Sequence, residues 1–323
     1  MIELRELSRL EFPALLAFSY GVDSTALFWL LVEKNIPFDL AFINYNTRKE
    51  SQQEMNEATD LAAKFHKKIY IKELCMSLNE SNFEMRAREA RHKFFAQICK
   101  ENGYKSLLFA HQLNDLFEWF LMRFSKGSGL WNLIGMQPYE KKEPFSIFRP
   151  LLFTPKDELI DYLDKNRLKY FIDSSNLDIK YQRNFIRQSF SDKFIKLYKD
   201  GVVNSFEFLN SDLSALLEKP LFEKGPFAIL QNSQNSINLI DKLLKKQQIV
   251  MSQKQRIWAK KDGVISGKVA IGYKDKLIFV APFVKTAMPK EFREFCRVKK
   301  IPPLIRPYLC ENREFLETIS HFL

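Results

Sequence analysis

Short apolar runs and longer amphipathic ones alternate through the first half of the chain, and this alternation limits the fold more than any other feature. Residues 13–18 (PALLAF) read as a buried strand, followed by a glycine-containing loop and an apolar helix over about 24–33. Residues 38–45 (FDLAFINY), 69–74 and 107–110 (LLFA) read as further strands. Helical patterns occupy 50–65, 83–100 and 113–124. Parallel strands need long crossover connections, and helices in that role cover both faces of a sheet. The expected class is therefore α/β, with a parallel sheet between two helical layers.

The pattern changes near residue 200. Segments 207–217 and 236–247 look helical, while 258–282 reads as short strands with turns at Asp262-Gly263 and Lys274-Asp275. The last stretch, 289–323, is basic and carries Pro302, Pro303 and Pro307. The expected organisation is one domain over 1–200 and a smaller α+β module over 201–323, in keeping with roughly 150 residues per domain.

The formal net charge is +11. That balance suits a polyanionic partner, either nucleic acid or an anionic membrane surface; a solvated lysine-rich surface is the bland alternative. No apolar stretch approaches the roughly 20 residues that span a bilayer. The mixed-charge start Met1-Ile2-Glu3-Leu4-Arg5-Glu6 is not a secretory signal. Cys75, Cys99, Cys296 and Cys310 form no C-x-x-C pair and match no zinc or iron–sulfur spacing. A small buried hydrophobe is expected at each. The setting read from these features is cytoplasmic and reducing, with no membrane.

The most informative segment is Ser19-Tyr20-Gly21-Val22-Asp23-Ser24, between the first strand and the first helix. Backbone N–H groups and a helix dipole at such a junction can hold an anion. Ser19, Ser24 and Thr25 add hydroxyl donors. Asp23 is at odds with an anion unless it caps the helix or holds a cation such as Mg²⁺. An ordinary N-cap opening a helix is the competing reading.

This segment resembles the SGGxDS signature of N-type ATP pyrophosphatases, the PP-loop enzymes, which cleave ATP to AMP and pyrophosphate. The resemblance implies a Rossmann-like PP-loop ATPase domain, with Ser19, Tyr20, Gly21, Val22, Asp23 and Ser24 around ATP. The departure is Tyr20, where that family has Gly. Tyrosine resists φ > 0, so either the loop keeps φ negative there or it is reshaped.

Later motifs narrow the resemblance to the tRNA(Ile)-lysidine synthetase family. Asn82 to His92 (NFEMRAREARH) looks like its N-x-E-x-x-A-R-x-x-R-Y segment. Ala110 to Glu118 (AHQLNDLFE) resembles A-H-H-x-D-D-x-x-E, and Arg123 to Met136 resembles R-x-x-R-G-S-G-x-x-G-L-x-G-M. Arg149-Pro150-Leu151-Leu152, Asp173-Ser174-Ser175-Asn176 and Arg183-Asn184-Phe185-Ile186-Arg187 follow in order. The agreement covers roughly residues 13–190, and Lys290 to Leu309 is weakly similar to the family's C-terminal module. Gln112 and Asn114 stand where the family has His and Asp, which keeps hydrogen-bonding capacity but loses a titratable group.

The resemblance implies that ATP activates a wobble cytidine in the CAU anticodon of an isoleucine tRNA, and that free L-lysine then displaces AMP. Mg²⁺, the loop amides and Arg91 would neutralise the phosphates; Arg91 and Arg88 lie three residues apart and share a helix face. His111 would contact phosphate or act as an acid. Asp115 and Glu118, also three apart, lie off the apolar stripe of their helix and read as facing away from the core. Two carboxylates there suit a lysine ammonium or a Mg²⁺. Candidate tRNA contacts are Lys126, Arg183, Arg187, Lys299, Lys300 and Arg306, the last three on a stretch that Pro302 and Pro303 should keep extended or turning. The resemblance leaves room for a homodimer.

Three alternatives stand beside this reading. A tRNA-thiolating PP-loop enzyme would generally use paired or catalytic cysteines, and these are scattered. An amidotransferase-type synthetase would need a glutaminase domain, which the motifs do not supply. A non-catalytic tRNA-binding relative draws its support from Tyr20, Gln112 and Asn114.

Overall fold

The computed structural model describes residues 2–46, 50–74, 83–172, 182–216 and 219–322. Contacts divide the chain into two compact units, Met1–Asn210 and Ser211–Leu323. The division falls beyond the boundary near residue 200 read from the sequence. The composition changes where a long helix begins, and that helix continues past the change.

The first unit opens with β1 (Ala14–Phe18), α1 (Val22–Glu33), β2 (Asp39–Asn44), α2 (Glu50–Lys64), β3 (Ile69–Glu73) and α3 (Phe83–Asn102). It continues through β4 (Ser106–Leu108), α4 (Leu113–Phe124), α5 (Leu130–Ile134), β5 (Tyr139–Glu140) and β6 (Ser146–Phe148). α6 (Lys156–Lys165), α7 (Gln182–Ile186) and α8 (Asp192–Leu216) follow. A π-helical segment, Arg187–Ser191, joins α7 to α8. The six-stranded sheet has the order β3-β2-β1-β4-β6-β5, parallel except for the short edge strand β5.

The strand period of two decides which core each side chain enters. Leu16, Phe18, Leu40 and Phe42 join Leu27, Phe28 and Leu31 of α1 in one core. Their neighbours Leu15 and Ala41 face the other side, against Phe95 and Ile98 of α3. Both faces of the sheet are thus covered, as the near-continuous apolar strands required.

The second unit holds β7 (Phe222–Lys224), β8 (Phe227–Gln231), α9 (Ser236–Lys246), α10 (Gln253–Trp258), β9 (Gly263–Ile265), β10 (Val269–Lys274) and β11 (Leu277–Pro282). It ends with α11 (Lys290–Val298), α12 (Arg306–Glu311) and α13 (Phe315–Ser320). Its five-stranded antiparallel sheet runs β7-β8-β11-β10-β9. Phe227, Ile229 and Phe279 pack towards α11–α13, and Leu230, Ile278 and Val280 pack against α9. The basic C-terminal stretch is mostly helical, but between α11 and α12 the chain turns at Pro302 and Pro303, as expected. α11 stops at Val298, Lys300 turns the chain at φ 53°, and Pro307 fits the first turn of α12 because its missing N–H lies where no intrahelical bond is needed.

Candidate active site

In the first sheet the chain winds outward from β1 in one direction and from β4 in the other. An open α/β sheet leaves a crevice beyond the carboxyl ends of its strands at such a reversal. Both motif-bearing loops leave the sheet there: residues 19–21 follow β1 and residues 109–112 follow β4.

The loop after β1 holds its tyrosine in the left-handed region that glycine adopts freely. Tyr20 takes φ 60°, so the loop does not keep φ negative there. Its ring is buried at 6% exposure, 5.2 Å from the Phe18 ring and 5.3 Å from Phe171. The Phe171 N–H donates to the Tyr20 carbonyl at 2.9 Å. A left-handed residue costs about 1–2 kcal/mol, and packing of a large buried aromatic ring outweighs that at roughly 3–5 kcal/mol. Gly21 caps α1 in an extended conformation. The Ser24 hydroxyl donates to the Gly21 carbonyl at 3.2 Å and accepts from the Ser19 N–H at 3.2 Å, which closes the loop on itself.

Tyr20→Gly relieves the strain and removes the ring. We expect it to lower stability by a net of roughly 2–3 kcal/mol in denaturant melts, with ATP use retained, because glycine adopts the same φ freely. A folded but inactive variant would make the ring itself part of the site.

Across the crevice, Gln112 caps α4. Its side chain accepts from the Asn114 N–H at 2.6 Å, while its own N–H donates to Asp115 Oδ2 at 3.2 Å. Asn114 donates through Nδ2 to Asp192 Oδ1 at 2.7 Å and accepts from the Lys156 N–H at 3.2 Å. The two departures from the family motif are thus buried positioning groups: Gln112 caps α4, and Asn114 ties α4 to α6 and α8. An amide has both a donor and an acceptor for such bridging.

Asp115 and Glu118 do not face away from the core. They are 8% and 0% exposed. Each is held by guanidinium groups on α7 and the π-helical segment. Arg183 bonds Asp115 and reaches Glu118 Oε2 at 2.7 Å. Arg187 lies on Glu118 at 2.7 and 3.1 Å and 3.8 Å from Asp115. A buried carboxylate is stable only when paired, and the pairs arise from residues some 65–69 positions later in the chain. Arg183 and Arg187, read from the sequence as candidate tRNA contacts, are both bound to carboxylates in this structure. Burial pushes the Asp115 carboxyl up, but Arg183, His111 and Arg187 together hold it below the usual range.

Asp23 shows the opposite balance. Burial, with Asp115 and Glu118 nearby, raises its pKa to about 7 against the pull of Lys156 and Arg187. Its Oδ1 is buried and has no hydrogen-bond partner among the described residues. A divalent cation fits this oxygen, since Mg²⁺ commonly takes one or two carboxylates plus phosphate and water rather than a full protein cage. Among the described residues no group of three or more His, Cys, Asp or Glu side chains could hold a metal by itself.

His111 is half-buried with a buried, unpartnered Nδ1, and burial lowers its pKa to about 3. The neutral imidazole can hydrogen-bond to a phosphate. Arg91 is exposed, and its field, with those of Arg149 and Arg183, falls on His111. Arg149 is 8% exposed, donates to Gln137 O at 2.8 Å and Glu140 Oε1 at 2.6 Å, and keeps a buried, unpartnered Nε. Sequence reasoning gave Arg149 only a place in a motif, and it missed Lys156 and Asp192.

Lys126 is exposed, in a loop turned by Gly127 at φ 66°. Gly135 in the same motif is required sterically: an added Cβ would lie 2.1 Å from Trp119 Nε1, which donates to Asn132 O at 2.9 Å. Lys299 and Lys300 are exposed, whereas Arg306 is half-buried with Nε on the Ile301 carbonyl at 2.7 Å, so it braces a turn. Asn82, the side chains of Phe83 and Glu84, the segment Asp173 to Asn176, and Cys75 lie outside the described residues. Cys99 and Cys296 are free and buried, as expected, and Cys310 is free and partly buried. No described helix is long and apolar enough to cross a membrane.

The PP-loop domain family matches residues 6–194. A tRNA(Ile)-lysidine synthase of Campylobacter jejuni is 42% identical over 308 residues, covering 95% of this chain and 95% of its own. Those of Wolinella succinogenes and Helicobacter pylori are each 40% identical over 95% of this chain, and over 96% and 91% of their own lengths. Among solved structures, the U34-tRNA thiolase NcsA from Methanococcus maripaludis aligns with a TM-score of 0.52 over 66% of this chain and 74% of its own; at 18% identity this likeness speaks for the fold alone. With an intact PP-loop at the sheet's switch point and relatives matched along nearly its whole length, the chain belongs to the tRNA(Ile)-lysidine synthase family.

Proposed function

We propose that the chain joins free L-lysine to C2 of the wobble cytidine in the CAU-anticodon isoleucine tRNA, using ATP. The observation that carries this reading is that both motif loops, residues 19–21 after β1 and 109–112 after β4, leave the parallel sheet at its switch point, one leading to Asp23 with its buried Oδ1 and the other to Asp115 and Glu118. In the first step the cytidine O2 attacks the α-phosphorus of ATP, and the bond to the bridging oxygen breaks to release pyrophosphate. In the second, the lysine ε-amine attacks C2, the C2–O2 bond breaks, and AMP leaves. The amine must shed protons to do so.

The loop amides at the start of α1, the Ser19 and Ser24 hydroxyls and neutral His111 would orient the phosphates. Arg91 and the arginines near it supply positive charge in a partly dry site, where electrostatic stabilisation is strongest. Mg²⁺ bound at Asp23 would offset charge developing on the phosphates. Arg183 spans Asp115 and Glu118 as a cation, and its side chain is 44% exposed. It marks where the lysine ammonium would sit once Arg183 swings out, with Arg187 left holding Glu118. The setting is cytoplasmic, where tRNA, ATP and lysine meet.

Two rivals draw little support from the described residues. The Cys99 thiol is pushed up to about 12 by burial, and Cys296 is also raised, so neither is a ready thiolate for sulfur transfer. Gln112, Asn114 and Tyr20 have structural roles and are no mark of lost catalysis. The test is pyrophosphate release from ATP with bulk tRNA, with and without lysine, followed by nucleoside mass analysis for a lysine adduct of cytidine. Pyrophosphate release without that adduct would sink the reading.

The C-terminal unit offers a separate measurement. If Lys299 and Lys300 touch tRNA phosphates, changing both to Glu should weaken tRNA binding and flatten the dependence of log K on log salt by about 0.7–0.9 per lost contact. Arg306 is left alone because it braces its own turn. An unchanged salt slope in the folded double variant would move the phosphate contacts elsewhere.

A further inference from the structure

Three exposed aromatic side chains of the first unit, Phe124, Phe194 and Tyr198, are linked through the half-buried Phe120 and the buried Phe117. Phe124, Phe120, Phe117, Phe194 and Tyr198 form one ladder along the seam of α4 and α8, with successive ring centroids 5.7, 6.3, 5.1 and 5.0 Å apart. The first three pairs are stacked, at 13°, 6° and 21° between ring planes. Both ends are open: Phe124 is 65% exposed and Tyr198 57%. α8 is kinked at Tyr198, where φ is −131°. Nearby in sequence, Phe185 and Phe190 flank Arg187 and form a second exposed pair, 5.9 Å apart.

Phe117 and Phe120 enter the core with Leu113, Leu116 and Phe206, whereas the rings at the two ends stay in solvent, and exposed apolar surface of that kind marks a binding face. The ladder's place is informative. The ladder shares α4 with Asp115 and Glu118, and it shares α8 with Asp192, to which Asn114 of α4 donates.

Charge decides between occupants. Lys126, Lys193 and Lys196 are exposed on the same elements, and Arg123 lies partly exposed among them. Of the acids there, Glu118 is paired with Arg183 and Arg187, while Asp192 and Asp200 stay exposed on α8 and are outnumbered by the cations. A two-fold copy of this face would set cations against cations. A polyanion with flat apolar faces meets both features: unpaired nucleobases stack on aromatic rings while lysines take the phosphates.

We propose that the ladder is the stacking platform for unpaired bases of the RNA loop presented to the carboxylate cluster, with Lys126, Lys193 and Lys196 on its backbone. This rests on the tRNA-modifying reading above. The test uses the full chain and a synthetic anticodon stem–loop carrying CAU, with a blunt RNA duplex as control. Phe124→Ala and Tyr198→Ala should each weaken stem–loop binding by about 5- to 150-fold, the loss expected for one stacked base. The salt slope should not change, because no phosphate contact is lost. Duplex binding and ATP binding should also hold. Lys193→Gln with Lys196→Gln should instead reduce the slope. Thermal melts confirm folding, and Phe194→Leu, which keeps volume but loses the aromatic face, should reproduce the loss.

Parent-like stem–loop affinity in the folded aromatic variants would overturn the proposal. So would sedimentation showing that these variants only convert a dimer to a monomer. Lysine- and tRNA-dependent pyrophosphate release by the parent chain, measured alongside, separates the two readings. If it is present while the aromatic variants bind normally, the platform fails and the function stands. If it is absent, both fail.

Discussion

Asp23→Ala is expected to abolish tRNA-dependent pyrophosphate release and to leave tRNA binding near that of the parent chain. Asp23 sits in the first turn of α1, its Oδ1 is buried and unpartnered, and the charges of Asp115 and Glu118 add to burial in raising its pKa. That arrangement is unfavourable without a cation, and ATP phosphates supply the reason for one. Turnover retained in the variant would remove Asp23 from the site. The same residue should leave a mark on stability. Its folded pKa of about 7 lies above the ordinary 3.8, so the folded state holds the proton longer than the unfolded chain does. Its contribution is fully present below about pH 4 and is lost as pH rises through about 7, at about 1.4 kcal/mol per pKa unit. Asp23→Asn should therefore flatten the decline in Tm of the ligand-free chain over that window. Asp115, held low, acts in the opposite sense: its contribution is lost only as pH falls through its depressed folded pKa. Indistinguishable Tm profiles for parent and Asp23→Asn would show that the carboxyl is hydrated and not desolvated.

The largest stability effect is expected at Glu118. It is fully buried, and both Arg183 and Arg187 bond to it. Removing one partner of a buried ion pair typically costs roughly 3–5 kcal/mol, because the remaining charge is left uncompensated. Glu118→Ala should reach that range in urea melts. Glu118→Gln should lose less, since an amide oxygen still accepts from one guanidinium, although charge-assisted bonds are about twice as strong as neutral ones. Asp115→Asn disturbs fewer bonds and is the cleaner probe of lysine use. It should raise the KM for lysine by an order of magnitude or so, while the KM for ATP stays within about twofold, as loss of one charged contact implies. A selective rise in the KM for ATP would reassign the carboxylate to metal binding.

Much of the first unit could be read directly from the chain. β1 to β4 and the helices between them have clear periods, because each strand is apolar on both faces and each helix is long enough to show its stripe. β5 and β6, at two and three residues, are too short to carry a period. β7, β8 and the helices α11–α13 were also missed, the last because Pro302, Pro303 and Pro307 look like helix breakers until one of them falls in a helix's first turn, where proline is tolerated. Tyr20 misled for a related reason. Its intrinsic preference opposes φ > 0, but the rings of Phe18 and Phe171 hold it there.

The site divides along the same line. Motif order along the chain determined the PP-loop, the carboxylates Asp115 and Glu118, and the family, since these depend on residue identity at short spacing. Tertiary structure alone decided that the carboxylates are buried, that Arg183 and Arg187 serve them, that Gln112 and Asn114 position α4, and that His111 stays neutral. Each of those outcomes depends on which groups meet across the fold and how much water is left between them. Short-range spacing fixes neither, and desolvation sets the sign of a pKa shift only once the neighbours are in place.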